Sequence, residues 1–112
     1  MTSIPKKIKV GPTIYTIKET DETILVNGRE CIGDIEYWEG LINIAKSAGD
    51  GIKPTTLMHE LVHAITYEQM GHGFEHDEQY IDGLAAGIIM LIRDNPKLVD
   101  YILSSGKVSV NE

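Results

Sequence analysis

The residues of this sequence best suited to chemistry are two histidines four positions apart, with a glutamate directly after the first. They are His59, Glu60 and His63, which form the pattern H-E-x-x-H. On a helix, residues four apart lie one turn above each other, so both imidazoles can reach one metal ion at about 2.0 to 2.1 Å. Because imidazole and carboxylate ligands suit Zn²⁺, which is redox-silent, the pattern predicts one zinc ion per chain.

The glutamate of this pattern has a separate role. Glu60 follows His59 by one residue, which rotates it by about 100° around the helix and places it beside the ion. From there its carboxylate can accept a proton from a zinc-bound water and later deliver it to a leaving amine. Glu60 is therefore the predicted general base of a hydrolytic reaction.

A hydrolytic zinc site also needs a third protein ligand and an open position for water. The extended pattern H-E-x-x-H-x-x-G-x-x-H is not met, because Thr66 and Gln69 stand where its glycine and third histidine would fall. The third ligand must come from further along the chain. The available donors there are His72, Glu75, His76, Asp77, Glu78 and Asp82.

Three helices are expected to hold these donors. Apolar residues at helical spacing predict the first helix from about Pro54 to Gly71 and the second over about residues 77–93, and Asn95-Pro96 begins a third that ends near Gly106. The expected apolar stripe of the first helix consists of Leu57, Leu61, Ala64 and Ile65. The expected buried face of the second consists of Ile81, Leu84, Ile88, Leu91 and Ile92.

The chain before residue 47 is predicted to be mainly β. Runs rich in β-branched and aromatic residues predict strands near residues 12–18, 23–26, 29–38 and 41–45. Asn27-Gly28 is the clearest hairpin signal, because a type I′ turn needs positive φ at both central positions. With residues 1–46 mainly β and 54–105 mainly α, the order predicts a single α+β domain over residues 1–112.

Composition and charge limit the classes of function. A net charge of −7 argues against a nucleic-acid partner, and no apolar run approaches the roughly 18 residues of a membrane span. One cysteine, Cys31, and an N-terminus without an apolar leader favour the cytoplasm. Between Pro54 and Ile92 there is no lysine or arginine, yet all four histidines lie there, so this interval is suited to a cation.

Two segments of the sequence resemble a known group of enzymes. HELVHAI, followed after a short loop by EQYIDGLAAGI, is similar to the minimal gluzincin peptidases of phages and mobile elements, which are related in pattern to the ImmA/IrrE family. The resemblance covers about residues 33–95, including the hairpin GDIEYWEGLINIA. It implies a zincin-like fold in a bacterial or phage-encoded protein, with Glu78 as third zinc ligand and Asp82 bracing a ligand histidine.

These observations together predict a small zinc metallopeptidase that hydrolyses peptide bonds in a protein or peptide substrate. The substrate is expected to pair with an exposed strand, for which the hairpin over residues 33–45 is the candidate. Candidate contacts to the oxyanion or the substrate are Tyr67, His72, His76 and Tyr80. The alternative is a catalytically silent protein-interaction module that binds metal in order to fold.

Overall fold

The computed structural model describes residues 3–71, 73 and 75–108, with side chains as far as residue 104. A β half is followed by three helices, so the predicted α+β class is confirmed. A short 3₁₀ helix, Tyr37–Glu39, precedes the last strand. The strands are β1 Lys7–Val10, β2 Thr13–Thr20, β3 Ile24–Val26, β4 Arg29–Cys31, β5 Gly33–Glu36 and β6 Leu41–Ala45, and the helices are α1 Lys53–Met70, α2 Glu78–Asp94 and α3 Pro96–Val108.

The main sheet has four strands in the order β1-β2-β6-β5 and is mixed. Strand β2 pairs in parallel with β6, whereas β1 with β2 and β5 with β6 are antiparallel. Strand β5 is therefore the last strand on its side of the sheet. Strands β3 and β4 form a separate hairpin, and its turn has φ of 54° at Asn27 and 79° at Gly28. The predicted type I′ hairpin is confirmed.

The stretch predicted as one strand over residues 29–38 is divided, and that prediction was wrong. Strand β4 pairs with β3, but β5 pairs with β6, so the chain changes sheets at Ile32. It then enters the 3₁₀ helix, and Gly40 in the left-handed conformation (φ 60°) redirects it into β6. A run of strand-forming residues reports extended backbone, but it does not report which partner each residue pairs with.

The core lies between one face of the sheet and α1. Its largest fully buried side chains are Tyr15, Ile42 and Ile44. Leu57 and Ala64 of α1 pack against them, as the predicted stripe requires, but Ile65 of that stripe is 39% exposed. Helix α1 therefore presents its buried side at a slightly different angle from the one that the periodicity indicated.

A second apolar cluster joins α1 to α2. It contains Val62 of α1 with Ile81 and Ala85 of α2, and Ile88 packs against its edge. The rest of the predicted buried face was wrong, because Leu84, Leu91 and Ile92 are 40%, 52% and 45% exposed. An apolar periodicity marks a face, but the face is buried only where another element covers it, and the buried residues of α2 all lie in its first half. In the described part of the chain, no helix has the length and hydropathy that a membrane span requires.

One hydrogen bond ties the sheet to the far end of α1. The buried Tyr15 hydroxyl donates to a Glu68 carboxylate oxygen at 2.8 Å. Burial, and secondarily this bond, raise the pKa of Tyr15 above its ordinary value, so the hydroxyl keeps its proton at neutral pH. The bond therefore links a strand residue without solvent exposure to a charged group on the helix.

Replacing Tyr15 with phenylalanine tests the contribution of this bond. The ring remains, but Glu68 loses its donor, so the free energy of unfolding is expected to fall by about 1 to 3 kcal/mol. Urea denaturation measures the change. Tyr101→Phe, at a tyrosine that is 70% exposed, is the matched control and should change stability by less than about 0.5 kcal/mol. Equal losses in the two variants would contradict the role given to the bond.

Candidate metal centre

Helices α1 and α2 bring three of the predicted donors together. Glu78 reaches Nε2 of His59 with one carboxylate oxygen, at 3.0 Å, and Nε2 of His63 with the other, at 3.1 Å. One donor atom from each of the three residues lies within 4.8 Å of the others. Two imidazole nitrogens and one carboxylate are a donor set that Zn²⁺ favours, so these residues fit the ion that the sequence predicts.

The local sequence explains how Glu78 reaches this position. Gly71, with φ of 99°, ends α1, and Asp77 caps α2 by accepting a hydrogen bond from the backbone N–H of Tyr80 at 3.1 Å. Asp77 is thus the helix cap, outside the donor group. Glu78 is the first residue of α2, and Ile81 is three positions later on the same face. Packing of Ile81 against α1 therefore turns Glu78 toward the histidines.

The second nitrogen of each histidine also has a partner. Nδ1 of His59 lies 2.6 Å from an Asp82 carboxylate oxygen, as the family resemblance implied for Asp82. Nδ1 of His63 lies 2.7 Å from Nδ1 of His76. Both rings therefore turn Nε2 toward Glu78 and hold Nδ1 in a hydrogen bond. A ligand histidine commonly has this arrangement, because the outer bond selects its tautomer and orientation.

Burial changes the protonation of two groups in the centre. Glu60 is 7% exposed, and burial raises its pKa to about 7; His59 opposes the shift, whereas Glu78, Asp34 and Asp82 increase it. For His63, burial lowers the pKa below its usual value, which favours the neutral form that can bind metal. A cation at the neighbouring donors would stabilise the Glu60 carboxylate and oppose its upward shift.

A cleft of about 720 Å³ opens beside these donors. Its lining includes His59, Glu60, His63, Glu78 and Asp82. The rest of the lining comes from β5, the β3–β4 hairpin, the 3₁₀ helix and the start of α1 with the residues next to them, and its exposed large apolar residues are Leu25, Val26, Ile32 and Ile52. The cleft is thus lined by both apolar and acidic side chains, and its described lining includes no lysine or arginine.

The remaining candidate residues lie in different surroundings. The ring of Tyr67 stacks on that of Tyr37, with centroids 4.2 Å apart. Tyr80 is 68% exposed in the first turn of α2, and the lining of the cleft does not include it. His76 contacts His63, and His72 lies outside the described residues. Neither Tyr67 nor Tyr80 belongs to the donor group.

Tyr37 and Gly33 also line the cleft, and sequence reasoning assigned no role to Gly33. Burial first, and then the charges of Glu60 and Glu78, raise the pKa of Tyr37 to about 12. A Cβ atom on Gly33 would lie 2.8 Å from Cγ2 of Thr56 and 3.3 Å from Oε2 of Glu60. Strand β5 can therefore approach Glu60 this closely only because residue 33 lacks a side chain. No spacing in the sequence signals a contact between residues so far apart.

Comparison of the chain with models of known protein families, with curated proteins and with solved structures gave no match.

The close approach of β5 to α1 can be tested by adding a methyl group at residue 33 and then removing the methyl group that it meets at residue 56. Gly33→Ala is expected to lower the free energy of unfolding by about 1 to 3 kcal/mol, because the new Cβ overlaps Thr56. Adding Thr56→Ser should restore most of the loss, since serine removes Cγ2 but keeps the hydroxyl that donates to the Ile52 carbonyl. Urea denaturation of the single and double variants measures the coupling.

Gly49→Ala is the matched control, because no atom beyond its two chain neighbours lies within 4 Å of the Cβ position at residue 49. This variant should leave stability within about 0.5 kcal/mol of the original. Strictly additive effects of Gly33→Ala and Thr56→Ser would show that the two side chains do not meet.

Proposed function

We propose that this protein is a zinc-dependent metallopeptidase with a zincin-like fold, of the minimal gluzincin type that its sequence resembles. The observation that carries the proposal is the convergence of His59, His63 and Glu78 at an open cleft, with buried Glu60 beside them. Zn²⁺ bound by these residues would polarise a peptide carbonyl and lower the pKa of a water toward about 7.

A side chain of the protein, Glu60, would transfer the proton between the attacking water and the leaving group. Glu60 lines the cleft next to His59 in the sequence; burial raises its pKa in the metal-free chain, and a bound cation would oppose that shift and favour the carboxylate. A carboxylate at this position can take a proton from the attacking water and return it to the leaving amine. Burial also keeps bulk water from screening the charges that develop during this transfer.

The sheet supports the proposal by offering an edge to a peptide. Strand β5 is the last strand of the four-stranded sheet, and Gly33, Asp34 and Ile35 of this strand line the cleft. An extended peptide that pairs with β5 would pass the zinc ligands with its backbone aligned. Exposed Leu25, Ile32 and Ile52 would receive an apolar side chain of that peptide.

The catalytically silent module is less well supported by the same residues. A closed structural zinc site needs four protein ligands, and the donor group among the described residues contains three. A purely structural site also has no use for a carboxylate at Glu60, whose burial costs free energy.

Metal content and activity of two variants test the proposed function. About one zinc per chain is expected in the original protein and in Glu60→Gln, which keeps all three ligands, but little zinc in His63→Ala. Both variants should lose cleavage of an unstructured protein, because one lacks the base and the other lacks the metal. Elemental analysis and electrophoresis of the digest measure the two properties.

Glu22→Gln, at an exposed glutamate outside the cleft, is the matched control and should keep both zinc and activity. Cleavage that survives Glu60→Gln would remove Glu60 from the reaction. Full zinc binding without cleavage of any peptide by the original protein would favour the silent module.

The apolar lining of the cleft can be tested with a pair of leucines of nearly equal exposure. Leu25 in the cleft is 62% exposed and Leu103 on α3 is 63% exposed. Leu25→Ala is expected to lower kcat/KM about tenfold at cleavage sites flanked by large aliphatic residues, because contact with such a side chain contributes about 1.4 kcal/mol. Leu103→Ala should leave the site preference unchanged. Mass spectrometry of the cleavage products gives the preference, and equal profiles for the two variants would place the substrate elsewhere.

A further inference from the structure

His76 lies in the connection between α1 and α2, but its ring is held against a zinc ligand. Its Nδ1 is 2.7 Å from Nδ1 of His63, and the two ring planes differ by only 12°. Rings stacked face to face are separated by about 3.5 Å, so atoms 2.7 Å apart cannot belong to such a stack. The centroid distance of 4.9 Å exceeds the distance between the nitrogens by about two ring radii. The rings are therefore joined edge to edge, nearly in one plane, by a hydrogen bond.

The direction of this hydrogen bond follows from the position of the ligand atom. Nε2 of His63 faces Glu78 in the donor group, so it must carry a free lone pair when it binds metal. In a neutral imidazole the hydrogen then resides on Nδ1, which makes His63 the donor. Nδ1 of His76 must accept, and the hydrogen of the His76 ring resides on Nε2.

We propose that His76 is a positioning residue, which accepts the Nδ1–H of His63 and thereby aims Nε2 of His63 at the metal. The inference rests on the zinc site of the proposed function, but it does not depend on peptide hydrolysis. In this proposal the two histidines have different acceptors at Nδ1, which are Asp82 for His59 and His76 for His63. We call such an acceptor a brace. The proposal also assigns a role to His76 that excludes metal ligation through its Nδ1.

Charge explains why the acceptor at His63 is an imidazole. The side chain of Asp82, the acceptor at His59, is 71% exposed, whereas His76, the acceptor at His63, is half-buried. Glu78 already places negative charge beside His63. A further carboxylate at this half-buried position would lose part of its hydration and repel Glu78, but a neutral imidazole supplies the same lone pair without charge.

Neighbouring aromatic residues hold His76 in place. Tyr37 meets the His76 ring edge to face, with centroids 6.2 Å apart and planes at 69°. Tyr37 itself is stacked on Tyr67 of α1. The brace is therefore supported by residues outside the α1–α2 connection, which limits the rotamers that His76 can adopt.

Zinc affinity of three variants at position 76 tests the proposal. His76→Ala removes the acceptor and should weaken zinc binding about 10- to 100-fold. His76→Asn places an amide oxygen close to the position of Nδ1 and should bind within about threefold of the original protein. His76→Gln has the same kind of group one bond further out and should behave like alanine. Competition with a chromophoric chelator measures the affinities without any substrate.

Two controls separate the brace from other roles. Glu75→Ala, at the exposed neighbouring residue, should leave zinc affinity unchanged. X-ray absorption of the zinc-loaded protein should count two imidazole ligands in the original and in His76→Asn. Three imidazoles in the original and two in His76→Asn would make His76 a ligand and overturn the proposal. If His76→Ala folds poorly, comparison of His76→Asn with His76→Gln still tests the proposal. Equal zinc affinities in those two variants would overturn it.

The outcomes also separate this inference from the proposed function. Zinc binding without cleavage by the original protein would contradict the peptidase proposal but not the role of His76. Equal zinc affinity in the original protein and in His76→Ala would contradict only the role of His76. An original protein that binds no zinc would contradict both proposals.

Discussion

The candidate metal centre depends on the apolar contact between the middle of α1 and the first half of α2. Val62, Ile81 and Ala85 are buried together at this contact. Glu78 lies three residues before Ile81, so the face of α2 that packs on α1 also carries the carboxylate that meets both histidines. The separation of the two helices therefore sets the geometry of the donors, and the chemistry of the centre is inseparable from the packing of its helices.

The contact also gathers acidic side chains around the buried Glu60. Glu60 is buried, Glu78 and Asp82 face it from α2, and Asp34 approaches from β5. The described lining of the cleft holds no lysine or arginine to compensate them. Burial, and secondarily these carboxylates, raise the pKa of Glu60. If the proposed metal binds here, it would offset this charge and stabilise the folded chain by mass action.

The two histidines of the donor group have different hydrogen-bond partners at Nδ1. His59 is nearer to the solvent and contacts the Asp82 carboxylate, whereas His63 is buried and contacts the His76 imidazole. Hydration compensates the charge of an exposed carboxylate better than that of a half-buried one. The difference between the two partners thus agrees with their exposure, since Asp82 is 71% exposed and His76 is half-buried.

Much of the architecture was determined locally by the sequence. The three helices, the Asn27-Gly28 hairpin and the strands-then-helices order follow from periodicity and turn chemistry, which act over a few residues. The pairing of His59 with His63 and the position of Glu60 beside them likewise follow from helical geometry. For the third donor, the sequence alone left several candidate residues, and the family resemblance indicated Glu78.

The tertiary structure decided what depends on contacts between distant residues. It set the change of sheets at Ile32, the limited burial of α2, the approach of Gly33 to Glu60 and the contact of His76 with His63. No periodic pattern in the sequence indicates any of these features. Each depends on which face another element covers and on how closely the backbones approach. Local propensity specifies the elements of this protein, whereas packing specifies the partners of their side chains.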